Sequence, residues 1–535
     1  MNGTGLRLPS LIDPNSSEFH SNRAVMLEAL LEVQQLHASL LQGGGDKYIQ
    51  RHRDRGKLLA RERIRLLLDA DSPFLEIMPL AGWGTDDPIG AGLITGIGVI
   101  NDVECVLIVN DPTVRGGTSS PTTVRKTLRA MDISSVNRMP LIHLTESGGA
   151  ELPKQAEVFN PGGATFRAIS RISAAGIPTV AVVFGSSTAG GAYVPGMSDY
   201  TVFVKEGAKV FLGGPPLVKM AIDEDADEEE LGGAEMHSRV SGLSDYLAAD
   251  ERDALRICRE IIGHLGWRKL GPGQSLPDEP PSYDAEELLG IHPADPKLPF
   301  EIREIIARVV DGSRFEEFKP LYGGTLVTGW ASIHGYEVGI IANNGILFSE
   351  ESQKGAQFIQ LCNQIDTPIL FIQNITGFMV GTKYEQGGII KDGAKMINAV
   401  SNSDVPHLTL MVGASYGAGN YAMSGRAYEP RFVFSWPSHR IAVMGGRQLA
   451  GVMSIVRRTA AERRGVLYDD EADQAMRTEI ERQIEHESSA LFATGHLWDD
   501  GIIDPRQTRT ALGFALSAVH NAPMKGRRGF AVFRM

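Results

Sequence analysis

The feature that most constrains the fold of this chain is an internal repeat. SSTAGGAYVPGMSDY, from Ser186 to Tyr200, and ASYGAGNYAMSGRAY, from Ala414 to Tyr428, share a run of small residues and tyrosines. Each run follows a proline and an apolar stretch, IPTVAVVFG in the first case and VPHLTLMVG in the second. Placing Pro178 on Pro406 gives an offset of 406 − 178 = 228. At that offset Gly190 pairs with Ala418 without any gap.

The same offset recurs elsewhere in the chain. MPLIHLTESGG lies over TPILFIQNITG, and Lys126 falls on Lys354. Upstream, GLITGIGVINDVECVLIVND resembles GGTLVTGWASIHGYEVGIIANN, and downstream FLGGPPLV resembles VMGGRQLA, with small loop-length differences. These matched blocks occur in one order, so the sequence predicts one domain duplicated.

The duplication divides the chain near residue 290. A proline-rich, polar stretch from Gly271 to Pro299 is typical of a surface linker. A chain of 535 residues is also too long for one compact core. We therefore expect an N-terminal domain over 1–290 and a C-terminal domain over 291–535. Short β-branched strands alternate with helical segments in each half, which predicts a layered α/β fold.

Composition and charge exclude several function classes. The formal net charge of −13 argues against nucleic acid as a partner. The basic stretch from Arg51 to Asp69 is interleaved with acids and has leucines at helical spacing, which favours a solvated amphipathic helix. No apolar run approaches the roughly 18 residues of a membrane span, and no signal peptide is recognised at the start.

The cysteines favour a reducing compartment. Cys105, Cys258 and Cys362 are far apart and form no CxxC motif, so neither a zinc site nor a disulfide framework is indicated. We expect a cytoplasmic protein with no metal, no membrane segment and no nucleic-acid partner.

The repeated runs indicate a binding site for an oxyanion. In each half a strand ends at Gly185 or Gly413 and is followed by small residues and a short helix. Such a junction presents backbone N–H groups with little side chain in the way, and the start of a helix favours negative charge. The structural alternative is a tight strand–helix corner in which glycine only permits close packing. Two matched copies favour the functional interpretation.

Familiar catalytic motifs do not fit this junction. GSSTAG is not GxSxG, because Ala189 occupies the position of the final glycine. The sequence also has no GxxxxGK[ST] and no GxGxxG after a strand. His237 is interpreted as a structural histidine, and Glu146 as either a general acid–base group or a turn residue. Two oxyanion holes without a nucleophile suit enolate chemistry on an acyl thioester, with the second hole serving another anion.

Several motifs resemble a known family. FLGGPPLVKMA, LGGAEMHSRVSGLSDY, QNITGFMVG, YGAGNYAMSGRAYEPRF and the terminal FRM are similar to the carboxyltransferase (β) subunit of biotin-dependent acyl-CoA carboxylases. The resemblance runs from RGKLLARERI to the C-terminus. QNITGFMVG and YGAGNYAM favour the 3-methylcrotonoyl-CoA and geranyl-CoA carboxylase subgroup.

This resemblance implies a fold, a cofactor and partners. The fold would be two duplicated crotonase-like (ClpP/crotonase superfamily) domains built from ββα spiral units, with acyl-CoA on the N-terminal side and carboxybiotin on the C-terminal side. The resemblance also implies a homo-hexamer with sites between the N-domain of one subunit and the C-domain of another. The resemblance further implies that biotin is carried by an α subunit with biotin carboxylase and biotin carboxyl carrier domains. That division of labour fits this sequence, in which neither an ATP-binding glycine loop nor an AMKM motif is found.

The resemblance also implies site residues and a mechanism. Backbone N–H groups of Ala418 and Gly419 would hold the biotin enolate, which takes a proton from the acyl-CoA. Gly190 and Gly191 would hold the thioester enolate as it attacks CO₂, and no side chain would act as base. The implied acyl-CoA-binding residues are Gly148, Gly149, Ala150, Ala192 and Tyr193. The implied biotin-binding residues are Thr376, Gly377, Phe378, Gly417 and Tyr421.

The acyl group is less closely defined by the sequence. The subgroup favours 3-methylcrotonoyl-CoA, the substrate of leucine degradation. VFNPGGATF replaces a longer segment rich in Phe and Arg, so geranyl-CoA or another branched or longer acyl-CoA stays possible. Glu146 also stands where the family has aspartate. The alternatives from other classes are a crotonase-type hydratase or isomerase and a non-catalytic carboxylase scaffold subunit.

Overall fold

The structure is a computed structural model that describes residues 6–295, 298–529 and 532–533. Of the terminal FRM, Arg534 and Met535 lie outside the described residues. The strands are β1 Leu6–Arg7, β2 Phe74–Ile77, β3 Leu93–Ile100, β4 Val103–Asn110, β5 Leu141–Ser147, β6 Thr179–Thr188, β7 Tyr200–Val204, β8 Lys209–Phe211, β9 Tyr246–Ala248, β10 Arg314–Glu317, β11 Leu326–Ile333, β12 Tyr336–Asn343, β13 Ile369–Ile375, β14 His407–Tyr416, β15 Phe432–Ser435 and β16 Arg440–Ala442. The helices are α1 Ser17–Leu40, α2 Asp46–Asp54, α3 Ala60–Leu67, α4 Pro121–Asn137, α5 Gln155–Ala174, α6 Tyr193–Met197, α7 Pro215–Ile222, α8 Glu228–Gly232, α9 Ala234–Met236, α10 Glu251–His264, α11 Arg303–Val309, α12 Ser349–Gln364, α13 Thr382–Gly387, α14 Ile389–Ser401, α15 Ala418–Ala422, α16 Gly446–Arg464, α17 Asp470–Glu487, α18 Ala490–Gly495 and α19 Thr508–Val519.

The two halves of the chain build the same sheet. In the first half the strand order is β2-β3-β4-β5-β6-β7-β9, and β8 also pairs with β6. In the second half the order is β1-β10-β11-β12-β13-β14-β15, and β16 also pairs with β14. In both sheets an antiparallel start passes into parallel strands with helical crossovers, which is the mixed α/β architecture expected from the alternating pattern. The predicted duplication is therefore present in the sheet topology.

The repeat also extends to individual side chains. Lys126 on α4 donates from Nζ to the carbonyl oxygens of Gly90 and Leu93, and Lys354 on α12 donates to Gly323. Both lysines are buried, and burial lowers the pKa of each to about 8. In each half, one lysine thus fixes the chain just before or at the start of the equivalent strands β3 and β11.

Local sequence explains the elements that surround the site. β5 and β6 are almost wholly buried, as expected for parallel strands covered on both faces, and their apolar residues give way to polar ones near the site. α4 begins where the Ser120 side chain accepts a hydrogen bond from the Thr123 N–H and Pro121 occupies the first turn. α4 and α5 cover one face of the first sheet, and α3 and α10 cover the other.

The chain ends do not follow the simple division into halves. β1 lies at the start of the chain but pairs with β10 in the second sheet, with Leu6 opposite Phe315. The linker is exposed over much of its length, yet Leu288 and Leu289 are buried in the large core that includes residues of both halves. The domain boundary at 290/291 stays a prediction, and the N-terminal strand belongs to the sheet of the other half.

Polar contacts also join the two halves. Arg129 on α4 donates from Nε to Asp500 Oδ1 and from Nη2 to Oδ2, both at 2.9 Å. The Arg426 guanidinium donates to the same buried carboxylate, and together the two cations hold the Asp500 pKa far below its usual range. In the part of the chain that the structure describes, no helix is both long and apolar enough to cross a membrane.

Candidate active site

The N-terminal junction is a tight turn between β6 and α6. β6 ends at Thr188 and is followed by a 3₁₀ turn over Ala189–Ala192. Ala189 has a φ of 53°, in the left-handed region that non-glycine residues rarely adopt. The Ser187 hydroxyl donates to the Gly191 carbonyl oxygen at 2.8 Å. The backbone geometry of the turn is therefore fixed, and no described side chain covers the backbone of Gly190 and Gly191.

The C-terminal junction repeats this backbone. Gly417, which the repeat aligns with Ala189, has a φ of 57°. α15 begins directly afterwards at Ala418, so the N–H groups of Ala418 and Gly419 have no intrahelical acceptor. Gly419 is packed closely, because a Cβ on it would lie 2.6 Å from Ile375 Cγ1. The two junctions thus share a left-handed residue followed by small residues.

A second loop lies beside each junction, again in matched copies. The Ser119 N–H donates to the Gly149 carbonyl at 2.8 Å, and Ser119 forms an isolated bridge with Ala150. At the corresponding positions the Leu347 N–H donates to the Gly377 carbonyl at 3.2 Å, and Leu347 bridges Phe378. The SGGA and TGF segments therefore occupy equivalent places beside the two junctions.

A cavity of about 550 Å³ opens at the N-terminal junction. It lies between the first sheet and helices α4 and α5. It is lined mostly by apolar side chains together with hydroxyl and amide groups, and among the described residues that line it none is acidic or basic apart from His143. The lining residues that bear on the chemistry are Met131, His143, Thr145, Gly149, Ala150, Gly162, Gly163, Phe166, Gly190 and Gly191. This volume is ordinary for a small-molecule site.

The structure brings together most residues implied for acyl-CoA. Gly149, Ala150, Gly190 and Gly191 line the cavity directly, and Gly148 is exposed next to Gly149. The Tyr193 ring is 44% exposed and lies 5.3 Å from the Phe166 ring, which lines the cavity. The Ala192 side chain instead packs in a small apolar cluster beneath the junction and does not line the cavity. The segment NPGGATF forms part of α5 and contributes Gly162, Gly163 and Phe166 to the wall.

The residues implied for biotin lie around the second junction. Thr376 and Ala418 are exposed, and Tyr421 is 45% exposed with its ring 5.7 Å from that of Tyr428. Gly377 has a φ of 127°, and a Cβ there would meet only the Tyr416 carbonyl oxygen, at 3.9 Å. Phe378 is half-buried, and Gly417 donates its N–H to the Ala442 carbonyl at 3.0 Å. Several residues of this group are therefore exposed at the surface of the chain.

Glu146 is not in the cavity. Alternate residues of β5 face opposite sides of the sheet, and His143, Thr145 and Ser147 line the cavity, so Glu146 points to the other face. There its Oε2 accepts from Arg63 Nη2 at 2.8 Å, and its Oε1 is paired with Lys57. Although burial opposes ionisation, these two cations hold the Glu146 pKa below its usual value. Glu146 is therefore an ionised structural carboxylate.

Lys57 and Arg63 are not recognised from the sequence as the partners of Glu146. The sequence predicts one solvated helix from Arg51 to Asp69, but the stretch holds parts of α2 and α3. Arg63 is fully buried, lies 4.2 Å above the Phe184 ring and also pairs with Glu251. The prediction was wrong because the partner carboxylates are far along the chain. The acids at Glu146 and Glu251 carry no local signal that would indicate such a pairing.

The remaining titratable groups are structural. His237 is buried and hydrogen-bonded to the Ser241 hydroxyl and the Val210 carbonyl, which confirms its interpretation as a structural histidine. Burial raises the pKa of the Cys258 thiol to about 12, and Cys105 and Cys362 are also buried. Within the described residues, no three His, Cys, Asp or Glu side chains come together as a metal site.

Comparison with known proteins identifies the family. Residues 51–531 match the Carboxyl transferase domain. The probable biotin-dependent acyl-coenzyme A carboxylase beta2 subunit of Mycobacterium tuberculosis is 61% identical, over 99% of this chain and 100% of that protein. The mitochondrial methylcrotonoyl-CoA carboxylase beta chain of Arabidopsis thaliana is 49% identical, over 99% of this chain and 92% of that protein.

Structural comparison agrees with the family match. The geranyl-CoA carboxylase beta subunit of P. aeruginosa has a TM-score of 0.91 and 46% identity, covering 99% of this chain and 100% of that one. The expected α/β fold with two duplicated crotonase-like domains is therefore confirmed. This chain belongs to the carboxyl transferase family of biotin-dependent acyl-CoA carboxylases.

Proposed function

We propose that this chain transfers a carboxyl group from carboxybiotin to the acyl group of a CoA thioester, through an enolate held by backbone N–H groups. The observation that carries this proposal is the pair of equivalent junctions, with φ values of 53° at Ala189 and 57° at Gly417. A positive φ at equivalent positions, each followed by small residues, supports one anion-binding turn in each half, hence two anions. Carboxyl transfer between two carbonyl compounds requires that number.

On the acyl-CoA side, the cavity supports stabilisation by backbone donors. Gly190 and Gly191 stand at its edge without side chains, and the Ser187 hydroxyl fixes the Gly191 peptide group. An N–H donor aimed at a developing oxyanion contributes about 10²–10³ in rate. The apolar lining raises this contribution because it excludes water from the thioester oxygen.

On the carboxybiotin side, the exposed junction fits a group delivered from outside. Ala418 and Gly419 would hold the ureido oxygen, while Gly377 leaves room for the ring, because even a Cβ there would meet only one backbone oxygen, at 3.9 Å. Carboxybiotin bound there supplies the carboxyl group. The open surface suits a cofactor carried by another protein, the α subunit with its biotin carboxylase and carrier domains.

A hydratase or isomerase of the crotonase type is the main alternative. That chemistry needs a carboxylate over the substrate, but Glu146 lies on the other face of β5 and is bound to Arg63. His143 is the titratable side chain in the described lining, and burial lowers its pKa to about 4, which makes it a weak base. A scaffold subunit would have no reason to keep both junctions.

Exposed apolar helices support a hexamer. α7 follows β8 and exposes Met220 (78%) and Ile222 (68%). α16 follows β16 at the equivalent place and exposes Ile455 (67%) and Val456 (57%). Apolar patches of this kind mark protein interfaces. We propose that the two helices pack between subunits, so that the acyl-CoA junction of one faces the carboxybiotin junction of another within a homo-hexamer. The cytoplasmic location stays a prediction.

The acyl group has two candidates. The relatives named as methylcrotonoyl-CoA carboxylase beta chains favour 3-methylcrotonoyl-CoA and a place in leucine degradation. The cavity favours a longer branched chain such as geranyl, because it continues past the junction to Met131 on α4 and is bounded on α5 by Gly162 and Gly163. A Cβ on Gly163 would have nothing within 4 Å, so the helix leaves open space there.

Decarboxylation with free biotin tests the function and the acyl group together. The full chain would be incubated with biotin and either 3-methylglutaconyl-CoA or carboxygeranoyl-CoA, and loss of the carboxyl group would be followed. Turnover of the first alone assigns the methylcrotonoyl candidate, and turnover of the second alone assigns the geranyl candidate. Failure with both, in the presence of a cognate biotin-carrying subunit as well, would contradict the proposal.

Two variants of one residue test the role of the cavity wall. Gly163→Leu should lower kcat/KM for carboxygeranoyl-CoA by about 10-fold or more, since a leucine side chain occupies the space of several methylene groups. Gly163→Ala is the matched control, because it adds only a Cβ into open space and should leave both substrates unchanged. Equal losses for the short and the long substrate in Gly163→Leu would show that the wall does not select chain length.

A further inference from the structure

An unpaired histidine lies in the wall of the acyl cavity. His143 stands in the middle of β5, 4% exposed, and its Nε2 has no hydrogen-bond partner among the described residues. Burial lowers its pKa to about 4, so the imidazole is neutral at physiological pH. A neutral imidazole has one donor and one acceptor nitrogen, and both seek partners.

Other buried histidines of this chain do have partners. His407 contacts the Ser424 hydroxyl at 3.0 Å and the Ser403 hydroxyl at 2.8 Å, one through each ring nitrogen. His237 likewise uses both nitrogens. His439 has an unpaired Nε2, but its Nδ1 lies 3.0 Å from the Gly413 carbonyl oxygen. Buried polar groups in folded proteins are normally hydrogen-bonded, and one that borders a cavity can take its partner from water or from a bound ligand. His143 is therefore a candidate for contact with bound substrate.

Further polar groups line the same cavity near His143. Thr145 lies on the same face of β5, two residues along, and Thr127 comes from α4 on the opposite wall. Ile108 and Met131 contribute apolar side chains to the same lining as these three polar residues. A few polar groups within an apolar cavity are the usual means by which a site fixes the orientation of its ligand.

The position of His143 sets the length of the chain that could reach it. Ser147 ends β5 and pairs with Ser187, just before the junction, whereas His143 pairs with Ala181 deeper in the sheet. The four residue steps of strand from Ser147 to His143 span about 13 Å. A hydrogen bond to His143 would cover about 3 Å of that distance, and the acyl chain must cover the rest. A C–C bond is about 1.5 Å long, so a chain held by its thioester at the junction needs at least about seven bonds to place an oxygen there. The short methylcrotonoyl group does not extend that far.

We infer that the acyl cavity recognises an oxygen function, a hydroxyl or oxo group, near the far end of a long acyl chain, through His143 with Thr145 and Thr127. This inference rests on the proposed carboxyl transfer and on its longer-chain candidate. The group is neutral, since no lysine or arginine among the described lining residues stands ready to pair with an anion. The substrate class is thus an oxygenated, branched acyl-CoA rather than a plain hydrocarbon chain.

Binding measurements test the inference without requiring turnover. Geranoyl-CoA and 8-hydroxygeranoyl-CoA would be titrated calorimetrically into the full chain. The hydroxylated thioester should bind about 10-fold more tightly, the effect of one hydrogen bond made to an otherwise unpaired buried group. Equal affinities, tighter binding of geranoyl-CoA, or no binding of either would overturn the inference. Discrimination in binding without biotin-dependent turnover would contradict the proposed function alone.

Variants identify the side chain responsible. His143→Leu should abolish the preference and tighten binding of geranoyl-CoA, whereas His143→Gln should keep part of the preference because an amide still hydrogen-bonds. Ile133→Val on α4 is the control, since Ile133 is buried in the core and does not line the cavity, so the ratio of the two affinities should stay unchanged. Thermal melting confirms that each variant is folded. A preference that survives both His143 variants would overturn the assignment.

Discussion

The ion cluster beneath β5 gives the sharpest prediction. Glu146→Gln removes one carboxylate from a buried group in which Lys57 and Arg63 balance Glu146 and Glu251. The side chain of Arg63 is 0% exposed and that of Glu146 is 11% exposed, so water does little to replace the lost charge. Breaking a buried pair costs about 3–5 kcal/mol. We take about 3 kcal/mol here, since the Lys57 side chain is 19% exposed.

The assay separates stability from chemistry. At about 2–4 °C per kcal/mol for a domain of this size, Glu146→Gln should lower the melting temperature by about 6–12 °C. In the folded protein, biotin-dependent decarboxylation should fall by less than about 10-fold, whereas loss of a general acid–base group costs about 10²–10⁴. The exposed pair Glu479–Arg482 supplies the control, and Glu479→Gln should not change the melting temperature measurably.

The pH dependence of the Glu146 effect has a definite sign. The Glu146 pKa is lowered in the folded state, so its contribution to stability is present above the unfolded pKa of about 4.3 and is lost as pH falls through the folded value. The difference in melting temperature between wild type and Glu146→Gln should therefore be full at pH 7 and shrink below about pH 4. A Glu146→Gln protein that melts like wild type but has lost 100-fold or more in turnover would refute the structural role.

Three other substitutions test the structure. Gly191→Val should abolish carboxyl transfer while the melting temperature is kept, because a Cβ there would lie 3.4 Å from Ser187 Oγ and so fits. Gly419→Val should also destabilise the protein, because a Cβ there would lie 2.6 Å from Ile375 Cγ1. Retained activity in Gly191→Val would contradict the oxyanion role of this turn. Asp499→Asn should raise the melting temperature at pH 8 but not near pH 4. Burial raises the Asp499 pKa to about 6, so ionising this carboxyl in the folded state costs stability, and the cost is complete above that pH. A loss of stability in Asp499→Asn at pH 8 would show that the carboxylate is paired.

The sequence was sufficient for the parts of the fold that repeat. The constant offset between the halves predicted that β5 and β6 correspond to β13 and β14, because strands, glycines and prolines recur in register. The same offset placed the junctions and most of the residues around them. Such features are local in the chain, and two copies make each of them easier to recognise.

Long-range features could not be predicted from the sequence. β1, at the start of the chain, joins the sheet of the second half through two paired residues, Leu6 opposite Phe315 and Arg7 opposite Arg314. Arg63 looked like a solvated cation because its partners Glu146 and Glu251 lie far away in sequence. The left-handed conformation of Ala189 also has no signal in its residue type, and only its match to Gly417 could have indicated it.

The two halves place different side chains beneath the same backbone. A Cβ on Gly185 would lie 2.6 Å from Glu146 Cδ, and at the equivalent point Gly413 packs against the Asn374 amide. Beneath the second junction the neighbours are His292 and His439, and burial lowers the pKa of each to about 4, so both are neutral.

Neither set of neighbours therefore carries a net charge. The ion cluster of the first half pairs two cations with two carboxylates. The second half has an amide, two neutral histidines and the nearby Arg440, which is paired with Glu485. A buried net cation would stabilise an anion at rest as well as in the transition state, and only the difference between the two accelerates a reaction. Fixed N–H groups aimed at the place where charge develops stabilise the transition state more than the ground state. Under the proposed mechanism the reacting groups are held by peptide N–H groups, which any small residue can supply, so the reaction requires no catalytic acid or base among the side chains.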